Sequence, residues 1–87
     1  MRYAFLKLVG DDLREIVNLL LERGASVCGA FGGTDQDGYR YVIGSKTEDV
    51  RLLNQKLKEK FGARGGGKPE MVQGSLTGTE MEIKALF

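Results

Sequence analysis

The segment Asp11–Gly24, with the sequence DDLREIVNLLLERG, decides the fold, because its apolar residues repeat at helical spacing. They fall at i, i+3, i+4, i+7 and i+8 and form one apolar face: Leu13, Ile16, Val17, Leu20 and Leu21. Acidic residues at the start and Gly24 after the end are typical of helix boundaries. We interpret Asp11, Asp12 and Glu15 as stabilising the helix start and not as metal ligands. The segment predicts a helix that packs by one face.

Strand patterns lie on both sides of this helix. Tyr3–Val9 is a compact apolar run that ends at Gly10, which predicts a first strand. After the helix, residues 25–31 and 39–43 are short and apolar, and residues 32–38 between them are rich in glycine and aspartate. That composition is typical of a turn, so the two runs predict a β-hairpin.

A second helix is expected to begin at Ser45, Thr47 or Glu48 and to end at Gly62. Its apolar positions again repeat at helical spacing: Val50, Leu53, Leu57 and Phe61. These residues predict core packing against a sheet.

The last elements are a strand over residues 71–76 and a short helix that reaches Phe87. Thr79 and Glu82 have the spacing of a capping box, in which each side chain binds the backbone of the other residue. The predicted order is β-α-β-β-α-β-α. The fold class is α/β of the mixed α+β kind, with a four-stranded mixed sheet and helices packed on it. We expect one domain, residues 1–87, that is a fragment of a longer protein.

Composition limits the functions that are open to the chain. The 87 residues allow one modest core, and the sequence contains no histidine and a single cysteine, Cys28. The usual zinc sites and an internal disulfide are therefore excluded, and we expect no metal and no cofactor. The apolar runs are too short to cross a bilayer and the N-terminus does not resemble a signal peptide, which predicts a cytoplasmic protein without membrane contact.

Three side chains that could react or stack on bases are expected to pack in the core instead. Free cysteine is usually buried, so Cys28 predicts a core position in a strand. Tyr39 and Tyr41 alternate with Arg40, and two exposed tyrosines could stack on bases. We favour packing of both rings in the sheet.

Charge is distributed unevenly along the chain, although the net charge is only +1. Residues 50–87 carry seven basic and four acidic side chains, whereas residues 1–49 carry six basic and eight acidic ones. A lysine-rich helix surface, such as the one with Lys56, Lys58 and Lys60, is often only solvated. The excess can also attract phosphate, and the basic residues in this part are Arg51, Lys56, Lys58, Lys60, Arg64, Lys68 and Lys84.

The glycine-rich run Arg64–Gly74 is the strongest candidate for a functional surface. Gly65, Gly66 and Gly67 are costly to order, but they let a backbone or a ligand approach closely and can aim successive N–H groups at an anion. Lys68 and Arg64 flank them with positive charge. A tight connection whose glycines only avoid clashes is the alternative, and glycine spacing alone favours it.

The run RGGGKPEMVQG resembles the signature of the DHH-associated domain in the form found at the C-terminus of alanyl-tRNA synthetases and of long alanyl-tRNA editing proteins. The resemblance extends in outline over nearly all of the chain. It implies a non-catalytic domain that engages tRNA, with tRNA(Ala) as the expected partner, and that often contributes to a homodimer. Aminoacylation, or editing of mischarged tRNA, would be carried out elsewhere in the parent protein. With the charge pattern of the second half of the chain, we expect nucleic-acid or phosphate contacts at Arg64, Gly65, Gly66, Gly67, Lys68, Gln73, Lys58 and Lys60.

Two alternatives stay open at this point. The chain could be a dimerisation module in which the glycine run packs against a partner and touches no RNA. It could also be the phosphate-ligand domain of a DHH-type phosphoesterase. In that branch a histidine follows the glycines, and Lys68 at this position argues against it.

Overall fold

The computed structural model describes residues 2–6 and 11–86 of the chain. Within them, three helices pack on a five-stranded sheet whose strand order is β1-β2-β3-β5-β4. The elements are β1 (Arg2–Leu6), α1 (Asp11–Glu22), β2 (Val27–Thr34), β3 (Gly38–Ser45), α2 (Arg51–Phe61), β4 (Arg64–Lys68), β5 (Met71–Leu76) and α3 (Glu80–Leu86). β1 pairs with β2 in parallel, and the other neighbouring strands are antiparallel.

The α+β fold class is confirmed, but the predicted count of four strands is wrong. The glycine run forms the fifth strand, β4, so the order of elements is β-α-β-β-α-β-β-α. The rest of the predicted order is confirmed. The predicted first strand continues over residues 7–9, which lie outside the described residues.

α1 covers one face of the sheet and packs on β2 and β3. Its predicted apolar face is buried there, with Leu13, Val17 and Leu21 in contact with strand residues that include Ala30 and Val42. The amphipathic pattern therefore identifies both the helix and its buried side. α1 packs mainly on β2 and β3 and reaches β5 only at Met71 and Gln73, so much of this face over β4 and β5 is exposed.

α2 and α3 cover the opposite face, where the larger part of the core lies. Phe31 and Tyr41 are buried against Leu57 of α2, and Ile83 of α3 joins the same cluster. The packing role predicted for the tyrosines is confirmed, because Tyr41 is 1% and Tyr39 is 5% exposed.

α2 begins at Arg51, later than the predicted start. Ser45 ends β3 instead, and its hydroxyl accepts hydrogen bonds from the N–H groups of Thr47 and Glu48. Those contacts hold the chain in a loop before the helix. The predicted end is confirmed, because Gly62 adopts the left-handed conformation (φ 65°) that closes the helix.

The capping box at the start of α3 is present. The Glu82 carboxylate accepts from the N–H of Thr79 at 3.2 Å, and the Thr79 hydroxyl accepts from the N–H of Glu82 at 3.2 Å. Asp35 in the β2–β3 turn anchors the same helix, because its Oδ1 accepts from the N–H of Glu80 at 2.9 Å. The Tyr39 hydroxyl donates to the same oxygen at 2.6 Å.

This anchor predicts a loss of stability at alkaline pH. Burial, and then the hydrogen bond to Asp35, raises the pKa of Tyr39 from 10.0 to about 12. The folded protein holds the phenol proton more tightly than the unfolded chain, so this contribution is complete below pH 10 and is lost as the pH rises toward 12. Urea unfolding across that interval should show a smaller loss for Tyr39→Phe than for the unchanged protein. Identical alkaline curves would contradict the assignment.

Cys28 is fully buried, as predicted, and its thiol donates to the carbonyl oxygen of Val17 at 3.4 Å. Burial raises the pKa of the thiol, which suppresses the reactive thiolate. We expect a disulfide reagent to label the native protein at least ~100-fold more slowly than the unfolded protein, because labelling requires opening of the core. Comparable rates with and without urea would show that the site is accessible.

None of the helices described is long and apolar enough to cross a membrane.

Candidate functional site

The glycine run is an edge strand and not a loop. β4 pairs only with β5 among the described strands, and residues 69–70 form the turn between them. Successive N–H groups of a strand point in alternating directions, so they cannot converge on one anion. The predicted anion nest is therefore wrong in its geometry. The assignment of these residues to a binding site stays a prediction.

Close packing of β4 on β5 explains most of these glycines. A Cβ on Gly65 would lie 2.2 Å from the carbonyl oxygen of Gln73, and a Cβ on Gly74 would lie 2.3 Å from that of Arg64. A Cβ on Gly67 would lie 2.4 Å from the carbonyl oxygen of Met71. The strands approach each other where side chains are absent, which is the tight packing considered as the alternative.

Gly66 is different, because a Cβ at this position would meet no atom within 4 Å. It pairs with Gln73 and lies on the same face of the sheet as Arg64 and Lys68, two residues away on either side. The fold therefore does not need a glycine here.

An open cationic surface lies on this face, on the half of the sheet that α1 leaves uncovered. Arg40 of β3 and Arg64 of β4 both pair with Ser75 of β5, the strand that lies between them. Gln73 lies two residues before Ser75 on the same face, and Arg14 reaches it from α1. We call this surface the arginine face, and its residues are Arg14, Arg40, Arg64, Gln73 and Ser75.

The arginine face surrounds a cavity of about 550 Å³. Leu13 and Val42 contribute an apolar floor, and the five polar residues form the rim. A second cavity of about 560 Å³ shares Arg40, Arg64 and Ser75 and continues past the strand ends toward Thr77. The two cavities form a groove whose middle is lined by both arginines.

Among the described residues, Asp37 is the one acidic side chain that lines this groove, in its second cavity. No ion pair among these residues uses Arg14, Arg40 or Arg64, so most of the positive charge of the groove is unpaired. Arg14 instead donates from Nη2 to the Gln73 Oε1 atom at 3.3 Å. Guanidinium groups match the oxygens of phosphate and carboxylate in pairs, so this arrangement can bind an anion.

Of the predicted site residues, Arg64, Lys68, Gly66 and Gln73 lie on the face that includes the groove. Gly65 and Gly67 point to the other face and are explained by strand packing.

The predicted lysines of α2 lie elsewhere. Lys58 and Lys60 are exposed in the last turn of a helix that packs on the opposite face of the sheet, where they favourably face the helix C-terminal carbonyl groups. Arg51 is paired with Asp49 at 2.6 Å and adds little free charge. The structure does not bring these residues together with Arg64.

Sequence reasoning missed three residues of the arginine face: Arg14, Arg40 and Ser75. The alternation of Arg40 with two tyrosines is a usable signal, because buried tyrosines place the arginine on the other side of the strand. Arg40 and Arg64 lie close together because of the strand register, which a short sequence pattern does not predict.

Fold and site together define a small α+β domain with a cationic sheet face and a glycine-rich edge strand. No protein-family model matches the chain. The chain is 32% identical over 83 residues to the alanine–tRNA ligase of Ruthia magnifica subsp. Calyptogena magnifica, a match that includes 88% of this chain and 10% of that protein. The fold is similar to the crystal structure of the C-Ala domain from Aquifex aeolicus alanyl-tRNA synthetase, with a TM-score of 0.74, 19% identity and coverage of 98% of this chain and 82% of that one.

The chain thus has the fold of a C-Ala domain and a sequence similar to part of an alanyl-tRNA synthetase. It spans about a tenth of the length of that relative. The finer DHH-associated assignment stays a prediction.

Proposed function

We propose that the chain is a non-catalytic tRNA-binding and interaction domain that acts within an alanyl-tRNA synthetase or an alanyl-tRNA editing protein. It holds tRNA(Ala) for aminoacylation, or for editing of mischarged tRNA, that other domains perform. Two likenesses support this proposal: the sequence similarity to an alanine–tRNA ligase and the fold of a C-Ala domain.

The observation that carries the proposal is the arginine face. Three exposed guanidinium groups that lack a carboxylate partner among the described residues line one groove. Such groups bind the phosphates of a nucleic-acid backbone, and each contact releases counterions, so affinity falls as salt rises. Phosphate contacts fix position without reading sequence, which suits a domain that orients tRNA for chemistry elsewhere.

The same residues do not form a catalytic site. Ser75 is the one hydroxyl of the arginine face, and its neighbours across the strands are Arg40 and Arg64. An activated serine needs an adjacent base to take its proton, and a guanidinium group cannot do this. The groove is therefore a binding surface.

The direct test is tRNA binding by the 87-residue chain at several salt concentrations. We expect a micromolar or weaker Kd that increases with salt, and a further increase in the Arg64→Ala/Lys68→Ala variant. Thermal unfolding of the variant serves as the control for folding. Binding that is absent or insensitive to salt would overturn the proposal.

A second candidate function is dimerisation, favoured by the edge position of β4. An edge strand has backbone groups that can pair with another chain. Gly65, Gly66 and Gly67 have no side chains that would obstruct such pairing. Light scattering over a range of concentrations distinguishes the two, since a strictly monomeric chain would remove this candidate. Membership in the phosphoesterase branch is the weaker alternative because of Lys68.

A further inference from the structure

We infer that the arginine face binds one unstacked nucleotide, with its phosphate at Ser75 between Arg40 and Arg64 and its base beside Gln73. This inference rests on the proposed function and names the part of an RNA that the groove takes. It distinguishes an exposed, single-stranded position from the backbone of a paired helix.

Strand register defines the phosphate position. Arg40, Ser75 and Arg64 occupy neighbouring positions on three adjacent strands and point to the same face. Adjacent strands lie about 4.8 Å apart, so the two arginine Cα atoms are roughly 10 Å apart with the hydroxyl between them. Two forked guanidinium groups and one hydroxyl donor can then share the oxygens of a single phosphate.

The base position follows from Gln73, which lies two residues from Ser75, about 6.7 Å along the strand. Arg14 donates to Gln73 Oε1, so the amide Nε2 group is oriented away and keeps its hydrogens for a base edge. A phosphate and its base therefore fit on one strand.

Gly66 supplies the space beside Gln73. It pairs with Gln73 across the strands, and nothing in the fold occupies the space that a Cβ would fill. A bare backbone at this point lets a flat ring approach closely. The adjoining cavity of about 550 Å³, with its apolar floor, is in the size range of small-ligand sites.

An unstacked base fits these features better than a paired one. A base in an RNA helix has both ring faces covered by its neighbours, whereas a base in a loop or at a strand end can lie on a protein surface and be read at its edge.

The test compares three RNA probes by fluorescence anisotropy at one salt concentration. They are a short single strand, the same strand with abasic sugars throughout, and a blunt-ended duplex with the same number of phosphates. The unchanged protein should bind the base-bearing strand about tenfold more tightly than the abasic strand, a difference of about 1.4 kcal/mol, because only the first has a base to contact Gln73 and Gly66.

Variants separate the two halves of the site. Gly66→Val fills the open space with a residue that suits an exposed strand, and Gln73→Ala removes the edge donor. Each should bring the affinities for the base-bearing and the abasic strand to the same value. Arg64→Ala should weaken both strands. If Gly66→Val does not fold, Gln73→Ala carries the same comparison.

The outcomes are distinct for the inference and for the proposed function. Equal binding of base-bearing and abasic strands by the unchanged protein overturns the inference, as does binding of the duplex as tightly as the single strand. In both cases salt-dependent binding of tRNA would still support the proposed function. Failure of every probe and of tRNA to bind overturns both.

Discussion

Replacing Gly65 with alanine is expected to lower the free energy of unfolding by about 3 kcal/mol, the upper range for overpacking in a closely packed site. The added Cβ would lie 2.2 Å from the carbonyl oxygen of Gln73 and 2.6 Å from the Cα of Gly74. Both atoms belong to the backbone of β5, so no side-chain rotation relieves the contact and the strands must separate. For a domain of this size the change corresponds to a decrease in Tm of roughly 12–24 °C.

Gly66→Ala is the matched control for this prediction. It changes a glycine of the same strand in the same way, but its Cβ meets nothing within 4 Å. We expect a change within about 0.5 kcal/mol, as for most surface substitutions. Thermal and urea unfolding of Gly65→Ala and Gly66→Ala give the comparison. Equal destabilisation by both would show that the glycines matter for backbone freedom and not for strand approach.

The helices were predictable because their signals are local. The apolar spacing in residues 11–22 identifies both α1 and its buried face, and Gly62 marks the end of α2 because only glycine easily adopts the left-handed conformation found there. Thr79 and Glu82 likewise form the capping box within four residues of sequence. Interactions of this range can be read from one segment.

β4 could not be predicted in this way, because glycine has low intrinsic preference for strands. The strand forms because it pairs with β5. The two strands pack closely where both lack side chains, at Gly65 and Gly74. Asn54 of α2 adds a hydrogen bond from Nδ2 to the carbonyl oxygen of Gly65 at 3.3 Å. A pattern of single residues does not contain such pairwise conditions.

The candidate site also consists of a part that local sequence signals predict and a part that depends on strand pairing. Arg64, Lys68 and Gln73 stand within one short run, and sequence reasoning singled them out together. Arg14 and Arg40 come from other elements, and they join the run only because β3 and β5 pair in one register and α1 stops short of β4. The site is thus partly encoded in the motif and partly in the topology.

The Arg40→Ala/Arg64→Ala variant is expected to bind tRNA about 100-fold more weakly than the unchanged protein, with a salt dependence reduced by about two phosphate contacts. The two arginines line the shared part of the groove and lack carboxylate partners among the described residues, so both are free to meet phosphate. Their exposure on the sheet surface predicts little change in Tm. Titration of labelled tRNA at several salt concentrations measures both quantities.

Lys58→Ala/Lys60→Ala removes the same charge from α2, which packs on the other face of the sheet, and is the control. If binding depended only on net charge, both double variants would lose affinity equally, since long-range attraction does not distinguish faces at low salt. If contact with the arginine face dominates, the lysine variant should lose less than about threefold in affinity. It should instead show a slightly lower Tm, because the lysines stabilise the C-terminal end of α2. Equal losses of affinity in the two double variants would show that the α2 lysines belong to the site. A large loss of affinity in the arginine variant only, with a lower Tm in the lysine variant only, would assign binding to the sheet face.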